Sequence, residues 1–242
     1  MFLSTITPIA QDNYVAFTFF IGTMAMMAAS VFFFFELNNV PQKWRTSVLV
    51  SGLITFIAAV HYYYMRSYNL ETGESPTFFR YVDWILTVPL MCVEFYLITK
   101  KAGAKVSLLW QLIFASVVML ITGYFGETMD RDHSVLWGVI SGAAYFYIAY
   151  LIWFGEVASL AQTAGPSVAK ATRILAWFVL VGWAIYPLGY ILGTPGGLFG
   201  MTLVDNPKDA AVAMDIVYNI ADAVNKIGFG LVIYTLAKSD AN

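Results

Sequence analysis

Seven long apolar stretches constrain this chain more than any other feature. They run over residues 14–35, 46–64, 78–99, 106–125, 135–154, 174–192 and 210–236. Each approaches or exceeds the roughly 20 residues that a helix needs to cross a bilayer. Backbone groups in hydrocarbon can pair only with one another, so stretches of this length read as helices. The connections carry breaker chemistry: residues 38–42 with Pro41, then 67–76, 101–105, 127–133, 162–166 and 193–207. Composition agrees. Hydrophobic residues make up 60% and charged residues 12%, against about 25% charged in soluble domains. So few charges cannot cover a water-facing surface. The expected fold is an all-α membrane protein with a bundle of seven transmembrane helices, one domain over residues 1–242. The net charge of −2 comes without a basic block, which gives no reason to expect nucleic acid as a partner. The single cysteine, Cys92, lies in an apolar run and reads as a core residue. The N-terminus has no positively charged leader before its apolar stretch and does not read as a signal peptide.

Basic residues set the expected orientation. With the N-terminus outside, eight fall on the cytoplasmic side: Lys43, Arg45, Lys100, Lys101, Lys105, Lys170, Arg173 and Lys238. Three fall outside: Arg66, Arg131 and Lys208. The bias favours N-terminus out and C-terminus cytoplasmic. Acids collect in the outer loops, among them Glu71, Glu74, Asp130, Asp132, Asp205 and Asp209. Glu127, near the outer end of the fourth helix, reads as another solvated loop acid.

Ionisable groups inside spans are expensive, so each is a functional candidate. Five stand out: Arg80, Asp83 and Glu94 in the third helix, Asp222 and Lys226 in the seventh. His61 sits near the outer end of the second. Arg80, Asp83, Thr87 and Glu94 follow at intervals of 3, 4 and 7 residues and share one helix face. Asp83 and Glu94 are about 16 Å apart along the axis at 1.5 Å per residue. Asp222 and Lys226 are four apart, again on one face. The spacing puts an amine at mid-span, two carboxylates and an arginine to its outside, and one carboxylate to its inside. Structural ion pairing between the two helices would account for Lys226, Asp222 and Asp83, since a buried lysine needs partners. It does not account for Glu94, which has no basic neighbour. A carboxyl buried alone keeps its proton, which suits a proton donor. A desolvated lysine is suited to forming a Schiff base with an aldehyde. Asp83 and Asp222 could then serve as counterions, with Arg80 offsetting the second negative charge. Trp84, Trp183 and Tyr186 could wall a long flat ligand, although ordinary helix packing explains any one of them alone.

The runs RYVDWILTVPLMCVEFY, GWAIYPLGY and YNIADAVNKIGFG resemble the third, sixth and seventh helices of the microbial rhodopsins, and the proteorhodopsins in particular. The resemblance extends over all seven stretches. It implies a light-driven outward proton pump, not an enzyme, carrying all-trans retinal as a Schiff base on Lys226. It makes Asp83 the primary counterion and proton acceptor, Asp222 the second counterion, Arg80 the outer gate and Glu94 the cytoplasmic donor. Asp83, Thr87 and Glu94 match the family's pump signature, and His61 the histidine that hydrogen-bonds the acceptor. Trp84, Met91, Trp183, Tyr186, Pro187 and Tyr218 match the retinal pocket. Met91 stands where the family tunes colour and implies green absorption. Tyr145 appears at the place where some relatives have a glycine that admits a carotenoid antenna, so no antenna is expected. The sodium-pump and chloride-pump patterns are absent, no metal site is seen, and no carboxylate pair matches the archaeal proton-release cluster. The resemblance further implies a bacterial inner-membrane protein, a pentamer or hexamer in contact through helices one, two and three. A retinal photosensor signalling to a partner, and a seven-helix receptor or transporter without retinal, are the rival readings.

Overall fold

The computed structural model describes residues 8–193 and 206–240. Seven helical spans are long and apolar enough to cross a membrane: Tyr14–Asn39, Gln42–Thr72, Thr77–Ala102, Val106–Met129, Arg131–Thr163, Pro166–Gly189 and Lys208–Ser239. No strand occurs among the described residues. All seven expected stretches are present, but several helices run past them. The second continues to Thr72, absorbing residues 67–72 that the sequence placed in a loop. The sixth begins at Pro166, eight residues before the expected start at 174. Apolarity marks the hydrocarbon-depth part of a helix, whereas helical geometry persists into polar ends where water can solvate the backbone. Local chemistry sets those ends. Gly73 takes φ +71° at the close of the second span and Gly165 takes φ +110° before the sixth, a region open to glycine at little cost. Pro166 and Pro207 occupy first-turn positions, where a missing N–H does no harm. Asn13 and Asn206 accept from the backbone N–H groups of Ala16 and Lys208. Most of the sixth connection, 193–207, lies outside the described residues.

The spans pack in sequence order, and the seventh closes the bundle against the first, second and sixth. Large apolar side chains point outward, including Phe17, Ile21, Trp110, Phe114, Phe146 and Phe154. In water such a surface would be a severe liability; facing lipid it is the ordinary solution. Many hydroxyls inside the spans are satisfied within their own helices. Thr23 donates to Phe19 O, Ser51 to Ser47 O and Thr99 to Phe95 O, as expected where no solvent is available.

The sixth span is interrupted by a π turn over Phe178–Gly182. Such a turn takes one extra residue and frees carbonyls. Here side chains from two neighbouring spans engage them. Tyr145 Oη donates to Leu180 O at 2.7 Å, and Asn225 Nδ2 to Gly182 O at 3.0 Å. Leu175 before the turn and Trp183 after it are both buried. A Cβ on Gly182 would collide with the Asn225 side chain, so glycine allows the sixth and seventh spans to meet this closely.

Candidate functional site

Lys226 is buried near the middle of the seventh span. Its Nζ donates to Asp83 Oδ2 on the third span and, at 3.0 Å, to Asp222 Oδ2 one turn earlier on its own helix. The two carboxylates differ in their other partners. Asp222 also accepts from Tyr186 Oη at 2.6 Å, Tyr62 Oη at 2.9 Å and Trp84 Nε1 at 3.1 Å. Donors from the second, third, sixth and seventh spans therefore converge on it. Asp83 has Lys226, while its Oδ1 has no hydrogen-bond partner among the described residues. Thr87 donates to the Asp83 backbone carbonyl at 2.9 Å rather than to the carboxylate.

His61 does not hydrogen-bond Asp83. Its Nδ1 lies 3.9 Å from Asp83 Oδ1, too far for a hydrogen bond. The same nitrogen donates to Ile57 O at 2.9 Å, one turn back on its own helix. The neighbouring Tyr62 reaches the cluster instead, through Asp222.

Arg80 is buried, but its partner is a residue the sequence reading passed over. Its Nη2 donates to Asp215 Oδ1 at 2.7 Å and its Nη1 to Asn219 Oδ1 at 3.1 Å. The spacing held the signal: Asp215, Asn219, Asp222 and Lys226 stand at intervals of 4, 3 and 4 on one helix face. Glu127 is not a solvated loop acid. It lies in the π turn Phe125–Met129 that ends the fourth span, half-buried, and accepts from Tyr81 Oη at 2.8 Å. Helical geometry carried past the apolar run turns this acid inward.

Glu94 lies on the same helix as Asp83, eleven residues on, and is fully buried. Its polar neighbours are serine hydroxyls of the second span, Ser47 and, at 3.5 Å from Oε1, Ser51, and its Oε2 has no partner among the described residues. Among the described residues no cation lies within ion-pair distance of it.

A cavity of about 530 Å³ adjoins the Lys226 cluster, within the roughly 300–1,000 Å³ usual for small-molecule sites. Trp84, Trp183, Tyr186, Pro187 and Tyr218 all line it. Trp84 and Tyr186 connect it to the charges, since each also donates to Asp222. Met91 is buried in the core but is not among the lining residues. Tyr145 does not close the wall as expected. Its hydroxyl is held by the sixth span, and beside it the cavity is bordered by Val135, Val139 and Phe146, all exposed on the outer face. Gly138 and Gly142 form part of the same border, and a Cβ on Gly142 would meet nothing within 4 Å. An apolar cavity with aromatic walls beside a buried amine fits an elongated apolar aldehyde.

The bacteriorhodopsin-like protein family model matches residues 13–239. The green-light absorbing proteorhodopsin of Gamma-proteobacterium EBAC31A08 is 42% identical over 234 residues, covering 96% of this chain and 89% of that protein. The blue-light absorbing proteorhodopsin of Gamma-proteobacterium Hot 75m4 is 43% identical, with the same coverage of each. The crystal structure of the blue light-absorbing proteorhodopsin from Med12 superposes with a TM-score of 0.77 at 42% identity, covering 94% of this chain and 99% of that one. Sequence, bundle and buried charge cluster agree, and this chain belongs to the bacteriorhodopsin-like family of seven-helix membrane proteins.

Proposed function

We propose that the chain is a light-driven outward proton pump that carries all-trans retinal on Lys226. The observation that carries this reading is the asymmetry about the Lys226 nitrogen. Carboxylates touch it on one side, and a buried carboxyl without a cation stands on the other. Retinal joined to Nζ would supply a light-driven change in the direction that this nitrogen's proton faces. Trp84, Trp183, Tyr186, Pro187 and Tyr218 hold and orient it. Asp83, which has fewer donors than Asp222, receives the proton. Asp222 keeps its negative charge under four donors. Glu94, in dry surroundings, carries a proton and returns it to the nitrogen. Vectoriality follows from acceptor and donor standing on opposite sides. The basic-residue bias puts the Asp83 side outside and the Glu94 side in the cytoplasm.

The buried, apolar Met91 supports green absorption. The identities to green- and blue-absorbing relatives, 42% and 43%, do not favour either colour. The remaining readings rest on family likeness: a single-domain ion transporter rather than an enzyme, in a bacterial inner membrane, as a pentamer or hexamer. With the Tyr145 wall open, the absence of a carotenoid antenna has lost its structural support.

The test is the absorption spectrum of the purified protein with and without added retinal, followed by illumination of a cell suspension. A visible band and acidification of the medium that a protonophore abolishes are expected. A chain that gives no band is not a pigment. A band without acidification leaves the photosensor reading standing.

A further inference from the structure

The sequence suggests that Arg80 offsets the second of two carboxylates beside Lys226. In the folded chain its guanidinium is committed to a third. Among the described residues its hydrogen bonds run to Asp215 and Asn219, and none to Asp83 or Asp222. Ser75 Oγ donates to the same Asp215 oxygen at 2.7 Å, and Asn219 Nδ2 donates to Thr18 on the first span at 2.9 Å. Arg80 and Asp215 are both buried. The group thus holds two cations, Lys226 and Arg80, against three carboxylates, Asp83, Asp222 and Asp215. The other titratable groups facing it do not restore the balance. They are His61 and Tyr62 on the second span, Tyr186 on the sixth, Tyr218 on the seventh, and Glu127 on the fourth through Tyr81. The first span contributes Thr18 and the ring of Phe19, neither of which ionises.

Building on the proposed function, we infer that Asp215 is a positioning residue that draws Arg80 away from the Lys226–Asp83–Asp222 group and thereby sets the pH at which the pigment changes colour. A guanidinium shared with Asp215 favours the ionised counterion pair less than a free one would. The pair therefore takes up a proton at a higher pH than it would without Asp215. Removing the Asp215 charge returns the full cation to the pair, and more acid is needed.

The experiment is an acid titration of the visible band in retinal-loaded protein. Asp215→Asn keeps an acceptor for both Arg80 and Ser75, and should move the midpoint of the red shift down by about 1 pH unit or more. Asp215→Glu should return it toward the starting value. In an Arg80→Gln background, Asp215→Asn should lose at least half of its effect. An unchanged midpoint in Asp215→Asn overturns the inference. So does a displacement of equal size without Arg80, because the carboxylate would then act by its own field. If Asp215→Asn yields no pigment, Asp215→Ser carries the same test, and loss of pigment in both overturns a purely tuning role. Failure of the underlying function looks different: the unsubstituted protein would show no retinal band or no acid-induced red shift.

Discussion

Asp222 and Glu94 are equally buried and built in opposite ways. Asp222 collects donors from four spans, one of them a lysine. Glu94 has two serine hydroxyls, Ser47 and Ser51, and no cation beside it among the described residues. Burial alone therefore does not assign a role to an intramembrane acid; the donors around it do. A carboxylate ringed by charge-assisted and neutral hydrogen bonds is a fixed anion. One surrounded by apolar groups and neutral hydroxyls is suited to carrying a proton, because no cation offsets a charge there.

Removing the cation is the strongest way to break this contrast. Lys226→Ala should eliminate the visible pigment completely when retinal is added; a band of ordinary intensity in that variant would sink the assignment. Next comes the donor. Glu94→Gln leaves the shape intact but removes the transferable proton, and should slow recovery of the pigment after a flash by about 100-fold at neutral pH. Recovery at the unsubstituted rate would show that the dry side of the bundle plays no part in turnover.

A smaller effect sharpens the Asp222 side. Tyr62→Phe deletes one of its four donors, and thermal unfolding in detergent should report a loss of about 1.5 kcal/mol. No loss would mean that the other three donors suffice.

The smallest effect concerns a third carboxylate, Asp240, just beyond the seventh span. It accepts from Lys43 and, at 2.8 Å, from Trp44 Nε1. The Lys43 ammonium and then the Trp44 indole hold its carboxyl below the usual range. A folded-state value lower than the unfolded one gives stability that is present above the unfolded value, near pH 3.9. That stability is lost as pH falls through the folded value. Both partners are partly in water, so Asp240→Asn should cost about 0.5 kcal/mol at neutral pH. The gap between variant and unsubstituted unfolding curves should close as the medium is acidified. A gap that persists at the lowest pH would show that the interaction is not ionic.

The sequence made Lys226, Asp83, Asp222 and Glu94 visible because charge inside an apolar run has no ordinary explanation. It did not reveal Tyr62, one of several tyrosines in a helix whose polar landmark was His61. Which of two adjacent residues reaches the cluster depends on helix rotation, and spacing does not fix rotation. Asp215 was missed for a different reason. It lies toward the end of its span, where an acid is unremarkable, and only its four-residue step to Asn219 marks it. Glu127 was misread because hydropathy locates the lipid-facing part of a helix but not its end.

The π turn in the sixth span is also a correction of phase. Leu175 and Trp183 are eight residues apart, which in an unbroken helix would point them about 80° away from each other. Absorbing one residue at Phe178–Gly182 brings them to within about 20°. Two segments of one helix, written in different registers, are thereby made to present a single inner face. Straightening that turn with all its residues kept would rotate Trp183, Tyr186 and Pro187 together out of alignment with the cavity, with no change in the chemistry of any of them, whereas deleting one residue from it would leave a regular helix with the inner face intact.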